Sequence, residues 1–334
     1  MNSWNRRKFI KTSALTGAAI GLATSPLAVF AQGREINYGG SAWLGHYPVY
    51  YAKENGDFSK ADLNVGWEFF GTSSGRMSAL MSGDIDVAGT GVVSAIALMA
   101  QGVNRFYVIG VPDNFGRVEG LFAVEGIESF EGLKGKTIGT TFASSAHTLV
   151  LDLMDQHGFT ERDINVINIP APEIPAAIQS KQIDAAATWT PYFNTVSNLP
   201  GVKLIADDTD FSLFKDYGVT PGPDVLVVSK RFADRNPEMV KDFAKVYFAA
   251  TESLGKDPDA AVSVLSGLTQ MSEEEQLQTI KDADWYSFEQ QQEMIGADTL
   301  FVEGLQKLAD MLVEYGQIDK SPQVKDWINS DFIR

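Results

Sequence analysis

The sequence predicts an α/β protein built from two doubly wound lobes, with helices on both faces of each sheet. Short apolar strands alternate with helical stretches over residues 36–110, and the same alternation returns over residues 137–187. Alternation of this kind is typical of parallel sheets. Residues 81–88 and 179–186 both read as a helix end, a turn, an Ile-Asp pair and a strand. Because only two copies occur, the repeat indicates paired lobes and not a solenoid.

Residues 1–31 have the features of a twin-arginine export signal. Arg6 and Arg7 precede an apolar run over residues 14–30, and cleavage after Ala31 would suit the small-residue rule. The run contains Thr, Ser, Gly and Pro, so it is too weakly apolar to predict a membrane span, although an uncleaved anchor is the alternative. We therefore expect a mature protein that is exported in the folded state to the periplasm.

Composition excludes several classes of function. The formal net charge is −16, and removal of the four basic residues of the leader takes it to −20, so nucleic acid and anionic membranes are poor partners. The chain has no cysteine, which excludes disulfides, thiol nucleophiles and cysteine-ligated metals. The Gly-rich turns lack the lysine or third glycine of nucleotide motifs, and no His/Glu cluster has metal-ligand spacing. We expect no cofactor and no metal.

The first lobe is assigned to residues 34–124, with residues 225–334 returning to it as a tail that is mostly helical from Pro237. Its predicted strands and helices alternate along the chain. The strands are residues 36–40, 64–70, 85–88 and 106–110, and the helices are residues 47–55, 75–82 and 92–101.

The second lobe is assigned to residues 125–224. Its predicted strands are residues 137–139, 164–169 and 183–187, with helices starting at Ser145 and covering residues 174–180. A further apolar strand starts at Asp224. Chain crossings near residues 123–125 and 224–225 predict a two-strand hinge. In such a protein the ligand lies in the cleft where strand ends from both lobes meet.

The start of the helix at Ser145 is the stretch around which the predicted site is built. A polar turn precedes it, and Ser144 or Ser145 stands where an N-cap belongs. Unpaired backbone N–H groups and the positive end of the helix dipole coincide there, which favours a small anion. Thr141 in the turn and His147 one turn into the helix are further candidates. The alternative is an ordinary helix cap, with His147 in a structural role.

Two carboxylates are candidates for binding a positive group of the ligand. Asp224 begins an apolar strand that should be buried, and a buried carboxylate needs a cation or hydrogen-bond donors. An ammonium group on the ligand would supply the cation, whereas backbone amides at a hinge are the alternative. Glu119 could share that ammonium group or pair with Arg117.

Aromatic and polar residues at strand ends complete the candidate list. Trp189 ends a strand at the predicted cleft and could stack on the ligand or face a cation, with packing between lobes as the alternative. Trp43 could close the pocket from the other lobe. Ser41, Thr90 and Asn114 follow strands of the first lobe and are candidate hydrogen-bonding residues.

Five segments carry a resemblance to a known family. Taken in their order along the chain, these segments resemble substrate-binding proteins of ABC importers for sulfonates, nitrate and pyrimidine precursors. Between about residues 134 and 237 the chain is most similar to the taurine-binding members of that family. These segments are residues 130–139, 144–147, 183–186, 189–191 and 224–230.

The resemblance implies a type II periplasmic-binding fold that closes by a hinge on its ligand. It implies a monomer that captures a small sulfonate, with taurine or a similar aminosulfonate as the first choice, and delivers it to an ABC permease in the inner membrane. The departures are an aromatic-rich segment over residues 41–48, Ala146 in place of a hydroxyl residue and Leu226 in place of a tryptophan. They count against taurine itself more than against the sulfonate class.

Other functions stay open at this point. The same family includes binders of alkanesulfonates, nitrate and pyrimidine precursors, and a solute sensor that docks on a receptor would look the same in sequence. An enzyme on the same fold is a further alternative, although the related enzymes use cysteine-containing sites.

Overall fold

The computed structural model describes residues 34–115 and 117–334, so the predicted export signal lies outside the described residues. Twelve strands occur in this part of the chain. They are β1 (Arg34–Gly40), β2 (Leu63–Phe69), β3 (Val87–Gly91), β4 (Phe106–Gly110), β5 (Asp113–Phe115), β6 (Glu119–Val124), β7 (Thr137–Thr140), β8 (Asn165–Asn168), β9 (Ala185–Trp189), β10 (Val202–Asp207), β11 (Asp224–Ser229) and β12 (Ala283–Trp285).

Helices and strands alternate over much of the chain up to β11, although β4 to β7 follow one another without an intervening α-helix, and helices dominate after β11. They are α1 (Tyr47–Glu54), α2 (Asp57–Lys60), α3 (Ser73–Ser82), α4 (Val92–Ala100), α5 (Ser145–Gln156), α6 (Ile174–Gln179), α7 (Tyr192–Ser197), α8 (Ser212–Tyr217), α9 (Lys230–Arg235), α10 (Pro237–Lys256), α11 (Pro258–Thr269), α12 (Glu273–Lys281), α13 (Phe288–Met294) and α14 (Leu300–Glu314). The strands and helices predicted from the sequence are confirmed to within a few residues. None of the helices described here has the length and apolarity needed to cross a membrane.

Two five-stranded sheets form the framework, in the orders β2-β1-β3-β11-β4 and β10-β6-β9-β7-β8. The predicted parallel pairing is confirmed for β1 with β2 and β3 and for β7 with β8 and β9. Both sheets are nevertheless mixed, so the prediction of wholly parallel sheets was wrong. β11 runs antiparallel to β3 and β4, and β6 runs antiparallel to β9 and β10. These two strands bring the chain into a sheet from the other sheet, so they enter at the edge where the parallel strands end.

The sheet membership of β6 moves the first crossing. Since β6 pairs in the second sheet, the chain leaves the first sheet before Glu119 and not near residues 123–125. The return crossing ends at Asp224, where β11 joins the first sheet. β11 is buried along its whole length, in agreement with its apolar sequence.

The C-terminal tail contacts elements of both sheets. Trp327 donates its indole N–H to the carbonyl of Val103, at 2.8 Å, beside the first sheet. α14 also packs on α8, and Gln317 donates to the Thr148 hydroxyl in α5, at 3.1 Å. The tail therefore packs beside the first sheet and also on helices that accompany the second sheet.

Gly304 in α14 is predicted to be required for the contact with α8. A Cβ at this position would lie 2.5 Å from the Cβ of Tyr217 and 2.7 Å from Val219, closer than van der Waals contact allows. Gly304→Ala should therefore lower the free energy of unfolding by about 1–3 kcal/mol. Urea unfolding followed by circular dichroism would measure the change.

Gly267 in α11 is the matched control, because a Cβ there meets nothing within 4 Å. Gly267→Ala should stabilise the protein by about 0.5–1 kcal/mol, as alanine is the better helix former. Equal stabilisation by both substitutions would contradict the close packing of α14 against α8.

Candidate functional site

A cavity of about 560 Å³ lies where loops from the two sheets meet. The first sheet supplies residues that follow β1, β2 and β3, and the second supplies residues that follow β7 and the last residue of β9. Parallel strands present their carboxyl ends at one edge of a sheet, which is the usual ligand position in α/β folds. The walls include Ser41, Trp43, Thr72, Ser73, Ser74, Arg76, Val93, Ser94, Glu119, Thr141, Phe142, Ala143, Ser144, Ser145, Trp189 and Asp224.

The two antiparallel strands bring acidic residues to the same edge. β6 starts with Glu119 and β11 starts with Asp224, and both residues line the cavity. A strand that enters at the carboxyl ends of its neighbours places its first residue there. The mixed topology is thus the reason that two carboxyl groups, which are far apart in sequence, share one cavity.

Three helices start at the cavity. Residues of the first turn of α3, α4 and α5 line its wall. The first N–H groups of a helix have no partner within the helix, and the dipole is positive at that end. The N-cap hydroxyls take one N–H each in α3 and α5, where Thr72 accepts from Gly75 and Ser144 accepts from His147, both at 3.2 Å. The remaining first-turn N–H groups make this cavity suited to an anion.

Arg76 adds a buried positive charge to the cavity. It lies on α3 and is 3% exposed, with Nε donating to the Gly89 carbonyl at 2.6 Å and Nη2 to the Ser73 hydroxyl at 3.1 Å. Burial lowers the pKa of this guanidinium, while Tyr38 and Asp224 act in the opposite direction. Sequence analysis missed Arg76. Its position one turn after the Gly71–Ser74 turn was the available signal.

Asp224 is held at the cavity wall by an aromatic donor. It is 2% exposed, and the indole Nε1 of Trp43 donates to its Oδ2 at 2.5 Å. Gly45 leaves the space for this carboxyl group, because a Cβ there would lie 1.6 Å from Oδ2. Burial raises the pKa of Asp224 to about 7, against the opposing effects of Arg76 and the Trp43 hydrogen bond.

Glu119 connects the acidic side of the cavity to the start of α5. Its Oε2 accepts a 2.5 Å hydrogen bond from the Ser145 hydroxyl, and its Oε1 is buried without a hydrogen-bond partner in the described structure. Burial raises the pKa of Glu119 to about 8, the Ser145 hydrogen bond lowers it and the nearby Asp224 raises it further. The cavity therefore has a positive side at the helix starts and an acidic side at β6 and β11.

Most of the residues predicted for the site lie on the cavity wall. The predicted residues that line it are Ser41, Trp43, Glu119, Thr141, Ser144, Ser145, Trp189 and Asp224. Three of the hydroxyls predicted as ligand donors already donate to the protein, and that of Ser145 donates to Glu119. Thr141 donates to the Ile169 carbonyl at 2.9 Å and Ser144 to the Thr141 carbonyl at 2.6 Å. The backbone N–H groups of Phe142 and Ala143 in this turn also donate within the protein, to Asn168 Oδ1 at 2.9 Å and His147 Nδ1 at 3.4 Å, so donors for a ligand are to be sought among the first-turn N–H groups of α5.

Three predicted residues lie behind the wall. Thr90 is fully buried in β3, and Asn114 donates to the Gly218 carbonyl at 3.1 Å. His147 stacks on Phe142 with ring centroids 4.4 Å apart, and its Nδ1 lies 3.4 Å from the Ala143 nitrogen. Burial lowers the pKa of His147, which favours the neutral imidazole. His147 thus supports the turn that forms the wall.

Solved structures define the class of fold. The periplasmic aliphatic sulphonate-binding protein SsuA from Escherichia coli superposes with a TM-score of 0.76 at 19% identity, over 89% of this chain and 92% of that one. The desulfurization enzyme DSZB superposes with a TM-score of 0.64 at 14% identity, over 90% of this chain and 97% of that one. The protein therefore has the periplasmic-binding-protein fold, which these structures show is used by a binding protein and an enzyme.

The sequence places the chain in a family. The pattern of NMT1/THI5-like proteins matches residues 43–261, so the chain belongs to the NMT1/THI5-like family. The taurine-binding periplasmic protein of Escherichia coli is 31% identical over 213 residues, which cover 64% of this chain. The match also spans 64% of that relative's length, slightly under two thirds.

The raised pKa values of Asp224 and Glu119 predict a stability that falls with pH in the empty protein. Both carboxyl groups bind protons more tightly in the folded protein than in the unfolded chain. Their contribution to the free energy of unfolding is thus fully present below the ordinary carboxyl pKa near 4. It is lost as the pH rises through about 7 for Asp224 and about 8 for Glu119. Asp224→Asn, which cannot ionise, should make the fall in Tm between about pH 5 and pH 9 smaller by a few degrees.

Thermal unfolding at a series of pH values would measure this difference. Asp298→Asn is the matched control, since Asp298 is exposed. The control should follow the unsubstituted protein. A pH profile of Asp224→Asn that is parallel to that of the unsubstituted protein would contradict the raised pKa of Asp224.

Proposed function

We propose that this protein is the extracytoplasmic solute-binding component of an ABC transporter and captures a small aminosulfonate, taurine or a close analogue. One observation carries the proposal. A single cavity combines three helix N-termini and Arg76 with the buried carboxyl groups of Asp224 and Glu119. That arrangement suits a small ligand with a negative group and a positive group.

The positive side of the cavity suits a sulfonate. A sulfonate stays ionised at all working pH values, so its site needs donors and not titrating bases. First-turn N–H groups supply such donors, and a guanidinium offers several N–H groups in a rigid plane. The name of the taurine-binding relative supports this choice of anion.

The acidic side suits an ammonium group. A buried carboxylate without a cation is costly, and Asp224 and Glu119 avoid that cost in the empty cavity by taking up protons more readily than exposed carboxyl groups. A ligand ammonium would pair with the ionised forms. Asp224 has a fixed donor in Trp43, so one oxygen is held while the carboxyl group faces the cavity.

Binding would shift the protein towards a closed arrangement of its lobes. Such a shift can only be as large as the ligand's preference for the closed state. We further propose that the closed form acts as a monomer in the periplasm, reached by the twin-arginine route, and delivers the ligand to an inner-membrane permease.

Binding is favoured over catalysis. The Escherichia coli relative that is 31% identical is named as a binding protein, and the chain has no cysteine to act as a nucleophile. Among other solutes, alkanesulfonates, nitrate and pyrimidine precursors lack the combination of permanent anion and ammonium to which the two sides of the cavity correspond.

The role assigned to Asp224 predicts a selective loss of affinity. Asp224→Asn keeps an acceptor for Trp43 but loses the negative charge, so taurine should bind about 10- to 100-fold more weakly. Isethionate, which has a hydroxyl in place of the ammonium group, should bind about as well as before. Isothermal titration calorimetry on the purified protein would measure both affinities. Equal losses of affinity for the two ligands would contradict the pairing of Asp224 with a ligand ammonium group.

The role assigned to Arg76 predicts a loss that does not depend on the ligand's positive group. Arg76→Gln removes the buried positive charge, so taurine and isethionate should both bind at least about 10-fold more weakly. Arg76→Lys keeps the charge and should retain part of the affinity for both. The same titrations would measure it, with circular dichroism as the check on folding. Unchanged affinity in a folded Arg76→Gln variant would show that the anion is bound without this guanidinium.

A further inference from the structure

Each carboxyl group on the acidic side of the cavity has a tryptophan beside it. Trp43 donates its indole Nε1–H to Asp224 Oδ2 at 2.5 Å. Glu119 in β6 lies directly opposite Trp189 in the antiparallel pairing with β9, and directly opposite residues project their side chains from the same face of a sheet. All four residues line the cavity. The acidic side therefore combines two carboxyl groups with two large aromatic rings.

The carboxyl groups on this side are more deeply buried than the rings. Asp224 is 2% exposed and Glu119 is 3% exposed, whereas Trp43 and Trp189 are half-buried. One oxygen of each carboxyl group already accepts a hydrogen bond, from Trp43 at Asp224 and from Ser145 at Glu119. The other oxygen of Glu119 is enclosed, without a partner in the described structure. A group bound here would thus touch mainly indole surface, with two negative charges close behind it.

This arrangement favours a methylated ammonium group over a primary one. A primary ammonium carries three N–H groups, and each needs an acceptor at about 3 Å once it leaves water. A methylated ammonium has fewer N–H groups or none, and the face of an aromatic ring attracts its positive charge within about 6 Å. It does not need to touch a carboxylate, because charges interact over several ångströms in a site of low dielectric constant. Aromatic cages are the usual sites for quaternary ammonium ligands.

We propose that the acidic side of the cavity is an aromatic cage for an N-methylated ammonium group, formed by Trp43 and Trp189, with Asp224 and Glu119 supplying the negative charge. The proposal rests on the proposed function and narrows its substrate class to N-methylated aminosulfonates. The sulfonate would be bound at the helix N-termini and Arg76. An aliphatic sulfonate can have the same shape, but it has no positive charge for the rings and carboxylates to attract. The cage therefore selects for charge as well as for methyl groups.

A series of ligands tests the cage by isothermal titration calorimetry at pH 7, where each amine of the series is positively charged. The series is taurine, N-methyltaurine, N,N-dimethyltaurine and N,N,N-trimethyltaurine. Affinity should rise about two- to fourfold with each added methyl group, because the methyl replaces an N–H group that lacks an acceptor and contacts a ring instead. The uncharged isostere of the trimethyl compound, 3,3-dimethylbutane-1-sulfonate, should bind at least about 10-fold more weakly than the trimethyl compound.

Substitution of Trp189 tests the contribution of one ring. Trp189→Leu keeps an apolar side chain but removes the aromatic face, so the ratio of the affinity for trimethyltaurine to that for taurine should fall at least about fivefold. Trp189→Phe keeps a smaller ring and should give an intermediate ratio. Phe69→Leu is the matched control and should keep the full ratio, because Phe69 is 63% exposed and does not line the cavity. Circular dichroism would check the folding of each variant.

The ligand series needs no variant, so it decides the matter even if Trp189→Leu does not fold. Affinity that falls with each methyl group, or equal binding of trimethyltaurine and its uncharged isostere, would overturn the cage. An unchanged ratio in folded Trp189→Leu would contradict it as well. The proposed function survives these results if taurine binds. Failure of every compound in the series to bind, in a folded protein, would instead refute the proposed function together with the cage.

Discussion

The site depends on buried groups of opposite charge that line one cavity. Arg76 and three helix starts form one side, and the carboxyl groups of Asp224 and Glu119 form the other. Each group is buried, so each is costly to leave charged and unpaired. The protein limits that cost with neutral donors and acceptors, including the Trp43 indole at Asp224 and the Ser145 hydroxyl at Glu119. A ligand with both signs of charge can pair with both sides at once.

This separation of charge follows from strand direction. In each sheet the parallel strands end at the crevice, so their following helices start there and give the positive side. β6 and β11 run the other way because the chain enters them from the opposite sheet, so their first residues, Glu119 and Asp224, give the acidic side. The same two crossings that connect the lobes therefore position the carboxyl groups. A change in the angle between the lobes would move these groups relative to the helix starts.

Much of this arrangement could be predicted from local sequence, since alternation predicted the elements and Ser144 or Ser145 was expected as the N-cap of α5, where the structure has Ser144. The direction of the strands could not be predicted, because an apolar strand has the same sequence pattern in parallel and in antiparallel pairing. Arg76 was missed because its role depends on β2 lying beside β1, which brings α3 to the cavity. His147 was expected as a possible ligand contact, but its ring packs on Phe142, a tertiary contact that residue type alone does not show.

The raised pKa values of the two carboxyl groups also affect specificity. In the empty cavity near pH 7, Asp224 and Glu119 are partly protonated, so the acidic side is less negative than its composition suggests. A ligand ammonium must displace these protons, which reduces the affinity gained from each ion pair by the free energy of deprotonation. A ligand without an ammonium group leaves the protons in place and incurs no such cost. Discrimination between aminosulfonates and plain sulfonates should therefore be weaker at low pH, where protonation is complete, and stronger above about pH 8.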